Sequence, residues 1–202
     1  NLNRYSGTDK LDNSQRLNYG INLVKNNFTS KILQSYEFNP NSNYNRDAGL
    51  KNHLSDILFS SKLSENKYQI NYNNRYNVDL GGLTNQALSI DSQNKYGDLA
   101  LAYSQDRVEN NSILKTSSET FTFNFNSNKY KKYNSLIFSG NYDLMNDYAS
   151  KYSIGYNYID ECFGIDINFG RNAFEDRDLK PDDTLNIIFS FKFFGSYSST
   201  NL

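Results

Sequence analysis

The sequence predicts an all-β protein, the wall of an antiparallel transmembrane β-barrel, and three observations carry that expectation. The first is alternation. From Thr184 to Phe194, Leu185, Ile187, Phe189, Phe191 and Phe193 share one parity, while Asn186, Ser190 and Lys192 share the other. In the preceding run, Phe163, Ile165, Ile167 and Phe169 alternate with Cys162, Gly164, Asp166, Asn168 and Gly170. Side chains of a strand point to opposite faces with a period of two, so one face is apolar and the other admits charge. The second observation is length: the alternating runs are about ten residues long, which is what a tilted strand needs to cross a bilayer. The third is that short and long connections alternate along the chain, as they do in outer-membrane barrels.

Taken in order, the pattern places about eleven strands near 15–25, 28–38, 54–64, 67–78, 85–94, 96–106, 117–127, 133–145, 149–160, 162–171 and 184–194, with the remnant of a further strand at Asn1 to Ser6. Tyr19, Ile21 and Leu23 mark the first, and Phe121, Phe123 and Phe125 the seventh. In the fourth, Tyr68, Ile70 and Tyr72 oppose Gln69, Asn71, Asn73 and Arg75, which suits a wet interior face. Asn26-Asn27 and Glu65-Asn66 read as tight turns, and Asn39 to His53, Asp79 to Thr84, Gln105 to Ser118 and Asn172 to Asp183 as longer loops. In such barrels the final strand runs from outside to periplasm, so Asn172 to Asp183 is an extracellular loop. Counting back, Cys162 begins the penultimate strand at the periplasmic end, with the parity of the lumen. The short turn at Asn146-Asp147 departs from the rule, because this count places it on the outer side.

Composition is consistent with this reading. The 202 residues are enough for one domain, and 17 Tyr and 14 Phe, no Trp and only 2 Pro mean that aromatics supply much of the apolar surface. Mean hydropathy is negative, which a barrel tolerates because every second strand residue faces a polar lumen. No run approaches the roughly 18 apolar residues of a spanning helix. A net charge of -1 argues against a nucleic-acid partner, since no basic stripe is present to displace counterions from a phosphate backbone; the cluster Lys129 to Lys132 reads as a solvated turn. The chain starts at Asn1 with neither an initiator Met nor a charged-then-apolar leader, so an export signal is expected upstream and the chain is expected to be a piece of a longer protein. The single cysteine, Cys162, has no disulfide partner within these residues.

Catalytic chemistry is not indicated, and the chain is expected not to be an enzyme. His53, the sole histidine, falls in a predicted long loop with no serine positioned beside it by any motif. Cys162 as a nucleophile lacks a neighbour that lowers its pKa. Glu175, Asp176, Asp178, Asp182 and Asp183 share a loop and offer oxygen ligands to a divalent cation, but such loops ordinarily solvate. No cofactor motif and no metal-binding cysteine or histidine cluster is present.

Two groups of residues carry a family resemblance. Asn3-Arg4-Tyr5-Ser6-Gly7-Thr8-Asp9-Lys10-Leu11 with Arg16-Leu17-Asn18-Tyr19-Gly20 forms one. The other joins Asp160-Glu161-Cys162-Phe163, Phe174 to Thr184 and Phe189 to Gly195. Together with a supporting patch, Gly49-Leu50 and Ser55-Asp56, they resemble the barrel domain of the LptD family of lipopolysaccharide-assembly proteins, in particular its alphaproteobacterial members. The resemblance implies the C-terminal portion of a larger barrel in the bacterial outer membrane, preceded by a periplasmic jelly-roll domain. It implies export of lipopolysaccharide into the outer leaflet through a lateral opening between first and last strands. The implied partners are an LptE-like plug lipoprotein, the periplasmic bridge proteins and outer-membrane lipid. Cys162 matches a C-terminal cysteine position that is bridged to the periplasmic region, although the adjacent pair of cysteines found in some members is here a single residue. The last strand becomes one side of the gate, with Asn186, Ser190 and Lys192 on its lumen face either contacting phosphate and sugar or simply lining a hydrated wall.

A general porin or adhesin barrel accounts for the same alternation without those motifs. A soluble β-sandwich requires a second sheet against the apolar parity.

Overall fold

The computed structural model describes residues 15–39, 49, 51–127, 133–173 and 181–191, together with the backbone of 195–200. They form a single sheet of twelve strands in sequence order: β1 (Arg16–Lys25), β2 (Phe28–Glu37), β3 (Ile57–Ser64), β4 (Tyr68–Asn77), β5 (Gly82–Asn94), β6 (Gly97–Asn110), β7 (Ile113–Ser127), β8 (Asn134–Asp143), β9 (Tyr148–Ile159), β10 (Phe163–Asn172), β11 (Asp182–Phe191) and β12 (Gly195–Thr200). Every neighbouring pair is antiparallel. The sheet is open, with β1 and β12 as its edges. No helix among the described residues is long and apolar enough to cross a membrane, which says nothing about crossing by strands.

β1 to β11 fall where the alternation places them, and four differences stand out. Gln105 to Ser118 is not a loop: β6 continues to Asn110, β7 starts at Ile113, and the turn is Asn111-Ser112 alone. Both turn residues have positive φ, 52° and 63°, the backbone whose twist matches a two-residue hairpin. The apolar residues of the ribbon, Val108, Ile113 and Leu114, fall on no single parity, so it has no period to read. Asp182 and Asp183 belong to β11, not to the preceding loop, and Asp183 faces Arg171 across the ladder. Thr84 lies within β5, which starts at Gly82. Finally, β11 is not the last strand, because β12 pairs along it from Asn186↔Thr200 to Phe191↔Gly195; β10 is therefore not the penultimate strand, and the count back from a final β11 that made the Cys162 end periplasmic does not hold. The segments Asn1 to Ser6, Lys129 to Lys132 and Phe174 to Lys180 lie outside the described residues.

The ladders put one parity of each strand on a common face. Crossing the sheet along one row, Ile21, Ile32, Phe59, Asn74, Gln86, Gln105 and Glu119 are partners in succession. A second row runs Phe123, Gly140, Tyr152, Arg171 and Asp183. Each row begins on an apolar residue in mid-strand and finishes on a charged residue beyond the apolar stretch. The strands are therefore tilted against the apolar belt, the relation that barrel walls have.

No apolar side chain among the described residues is buried. With all twelve strands in one sheet, no second sheet covers the apolar face, and the sandwich arrangement is not formed. Buried side chains are instead polar: Ser35, Glu37, Ser55, Asp56, Asn77, Thr84 and Gln105.

Candidate functional site

The first functional surface is the apolar face. Its middle is aliphatic and aromatic: Ile21, Ile70, Ile90, Leu101, Phe123, Ile154, Ile167 and Ile187 occupy one parity of their strands. Ile21 is 69% exposed and Ile154 49%, so the surface has no protein partner among the described residues. Rings gather towards both ends of the strands. Phe28, Tyr68, Tyr158, Phe163 and Phe191 lie at the end that carries the shorter turns. Tyr36, Tyr76, Tyr142 and Tyr152 lie at the end that carries the 38–56 connection. At the first rim Tyr133, Tyr158, Phe163, Phe189 and Phe191 form a chain of ring contacts with centroids 5.3 to 6.5 Å apart. Among the described residues, charges of this parity stand at its margins, at Lys25, Glu119, Arg171 and Asp183, and beyond it at Arg107 and Glu109. Arg171 and Asp183 meet at 3.6 Å, and Glu119 accepts the Tyr103 hydroxyl at 2.7 Å. From Phe163 to Arg171, or from Asp183 to Phe191, the interval is about nine residues, enough for one tilted crossing. The sequence reading found the parity but not the rims.

The opposite face is hydrophilic and satisfies itself across the ladders. Asn71 donates to Ser89 at 3.0 Å, Ser104 meets Thr120 at 2.8 Å and Ser139 meets Ser153 at 2.6 Å. Asn186 and Ser190 are on this face, opposite Asn168 and Gly164. They are interior to the sheet, since β12 lies beyond them. Lys192 lies outside the described residues.

Cys162 is exposed at the short-turn end. It sits in the 160–162 turn that precedes β10, not in the strand itself. Asp160 builds that turn: its Oδ1 accepts the amides of Cys162 and Phe163 at 2.9 and 2.8 Å, and its Oδ2 accepts the Tyr158 hydroxyl at 3.1 Å. Cys162 and Ser190 border the same hollow of about 400 Å³, with Asp160, Glu161 and Asp166 also on its wall. The two amide donors pull the Asp160 carboxyl below its ordinary value of 3.8. A depressed carboxyl stabilises the fold above its unfolded value and loses that contribution as pH falls through the folded one. Amide exchange at Cys162 and Phe163 is expected to be slow near neutrality and to quicken, relative to the intrinsic rate, as pH falls below 3.8. Asp160→Ala is expected to remove the pH dependence; a variant with wild-type protection would show that the carboxylate does not hold the turn.

The remaining buried groups fasten the long-loop end. Asp56 is 5% exposed and pairs with the Arg75 guanidinium; its amide donates to the Gly49 carbonyl at 3.2 Å. Gly49 has φ +62°, and a Cβ there would collide with the Asp56 carboxyl, so the motif residues Gly49 and Asp56 are brought together. His53 stacks on Tyr36 with ring centroids 5.4 Å apart. Its Nδ1 is 2.8 Å from the Glu37 carbonyl and the Glu37 amide donates to the His53 carbonyl at 2.7 Å. His53 is thus part of the fastening. Among the described residues no group of three or more His, Cys, Asp or Glu is placed to hold a metal ion.

No protein-family model matches the chain, and a search of the curated proteins gives no match.

Proposed function

We propose that this chain is part of the wall of a transmembrane β-barrel in a bacterial outer membrane and that the barrel exports lipopolysaccharide to the outer leaflet. The observation that carries the membrane reading is the apolar face: a belt about nine residues deep, ringed at both rims and free of charge between them. In hydrocarbon each unsatisfied backbone group costs several kcal/mol, so strands cross a bilayer only in a closed barrel. The open edges at β1 and β12 therefore call for further strands, and a lateral gate would border β12.

The export reading is supported by the resemblance of the two end segments to the LptD family and by the position of Cys162 at the short-turn end, the end that outer-membrane barrels turn to the periplasm. On this reading Cys162 forms a disulfide with the N-terminal periplasmic region, and Asn186, Ser190 and Lys192 line the passage. The partners are lipopolysaccharide, an LptE-like plug lipoprotein and the periplasmic bridge. The porin or adhesin reading shares the apolar belt but gives Cys162 no task.

The test is gel migration of the full-length protein from outer membranes, with and without reductant, in wild type and Cys162→Ser. A reductant-sensitive shift that the substitution abolishes, with loss of surface lipopolysaccharide, is the expected outcome. No shift and normal surface lipopolysaccharide would refute the export reading in favour of the porin.

A further inference from the structure

The ribbon 106–118 projects past the apolar belt at the long-loop end. Its ladder shifts register between Asp106 and Arg107, and such a bulge bends the strand that carries it. The bend brings Arg107 and Val108 to the wall of a hollow of about 640 Å³ on the polar face, whose other side is built by Leu33 and Leu58 of β2 and β3 and by Asn73 and Arg75 of β4. Thr84 and Asn85 of β5 complete the hollow, and Gly82, opposite Asn77 on the polar parity, meets Leu114 of β7 from beyond β6, so the ribbon leans inward across the polar face. Its seat is specific. A Cβ placed on Gly82 would stand 2.6 Å from Leu114 Cδ1, so the leucine occupies the space that a side chain at 82 would fill.

We propose that this ribbon is a lid: it closes the long-loop end of the polar face over the hollow, hinges at Asp106/Arg107 and latches through Leu114 on Gly82. A two-stranded ribbon has little stability of its own, so the latch decides whether it lies down or stands clear. Val108 and Ile113 of the ribbon are 43% and 64% exposed, so of its apolar side chains Leu114 is the one that is partly covered. The lid rests on the barrel-wall reading, because only in a membrane does this face become a passage.

The test uses the full-length protein in planar bilayers, with heat-modifiable gel migration reporting folded barrel. Leu114→Ala empties the latch without adding bulk, and Gly82→Val blocks the seat; both are expected to raise single-channel conductance severalfold. The pair Gly82→Cys with Leu114→Cys, oxidised, is expected to hold conductance at or below the wild-type level until reductant releases it. Folded, inserted variants with unchanged conductance would overturn the lid while leaving the barrel reading standing. A wild-type protein that neither inserts nor conducts would overturn both.

Discussion

Leu101→Arg is expected to destabilise the protein in phospholipid vesicles by about 2–4 kcal/mol, the cost of a cation at the bilayer midplane on a barrel's lipid face. Leu101 lies mid-belt, between Ile90 and Phe123 in the ladders, and an arginine there has neither water nor a counter-ion within reach. The next residue supplies the control. Ala102 points to the polar face between Ser89 and Thr122, so Ala102→Arg is expected to cost less than about 1 kcal/mol, as exposed substitutions do. Depth supplies a second control. Leu17, exposed on the apolar parity of β1 beside the rim residue Tyr36, lies at the margin, where the penalty near an interface drops to about 0–1 kcal/mol, so Leu17→Arg falls near Ala102→Arg. Urea unfolding in vesicles, followed by heat-modifiable migration, measures all three. Equal losses at 101 and 102 would mean that the two faces do not see different media. An equal loss at 101 and 17 would mean that the belt does not end at its aromatic rim.

The same residues show what was legible in the sequence. Parity is a local property: Leu99, Leu101 and Tyr103 against Ala100, Ala102 and Ser104 can be read from six consecutive letters, because the pleat assigns faces without reference to any other strand. Register is not local. The row from Ile21 to Glu119 depends on every turn between them and on the shifts at Arg75/Tyr76 and Asp106/Arg107, and a one-residue difference in any of these would reverse a face. Tilt, and with it the alignment of tyrosines into two rims, emerges only when the registers are added together. The 106–118 ribbon was missed because its few apolar residues, Val108, Ile113 and Leu114, do not alternate. β12, read as Gly-Ser-Tyr-Ser-Ser-Thr, shows no apolar alternation, yet Tyr and Thr suit a strand and it pairs with β11. The position of Cys162 at the short-turn end follows from the alternation of short and long connections, whereas the count that took β11 as the last strand fails once β12 is added, and the carboxylate that holds the Cys162 turn is not legible at all. Asp160 and Cys162 are simply close in sequence until the hydrogen bonds give the aspartate a purpose.

Asp56→Ala is expected to give the largest loss outside the belt, about 2–3 kcal/mol. Removing one partner of a buried ion pair costs about 3–5 kcal/mol, and the lower figure applies because Arg75 is 33% exposed and keeps part of its hydration. The loss has a second component, since the Asp56 carboxyl fills the space over Gly49. Asp56→Asn retains the shape and one acceptor for Arg75, so it is expected to lose less. The charge itself works against the fold: burial raises the Asp56 carboxyl above its ordinary value of 3.8, and Arg75 only partly offsets this. A carboxyl raised in the folded state contributes stability that is fully present below its unfolded value and lost as pH rises through the folded one. Wild type should therefore gain on Asp56→Asn as pH is lowered from neutral towards 3.8, a comparison in which the other carboxyls cancel. Urea midpoints of the three proteins across that range measure it. A gap that stays constant with pH would show that the cluster holds Asp56 by shape alone; a gap that moves against wild type on acidification would show that the Arg75 pairing outweighs burial.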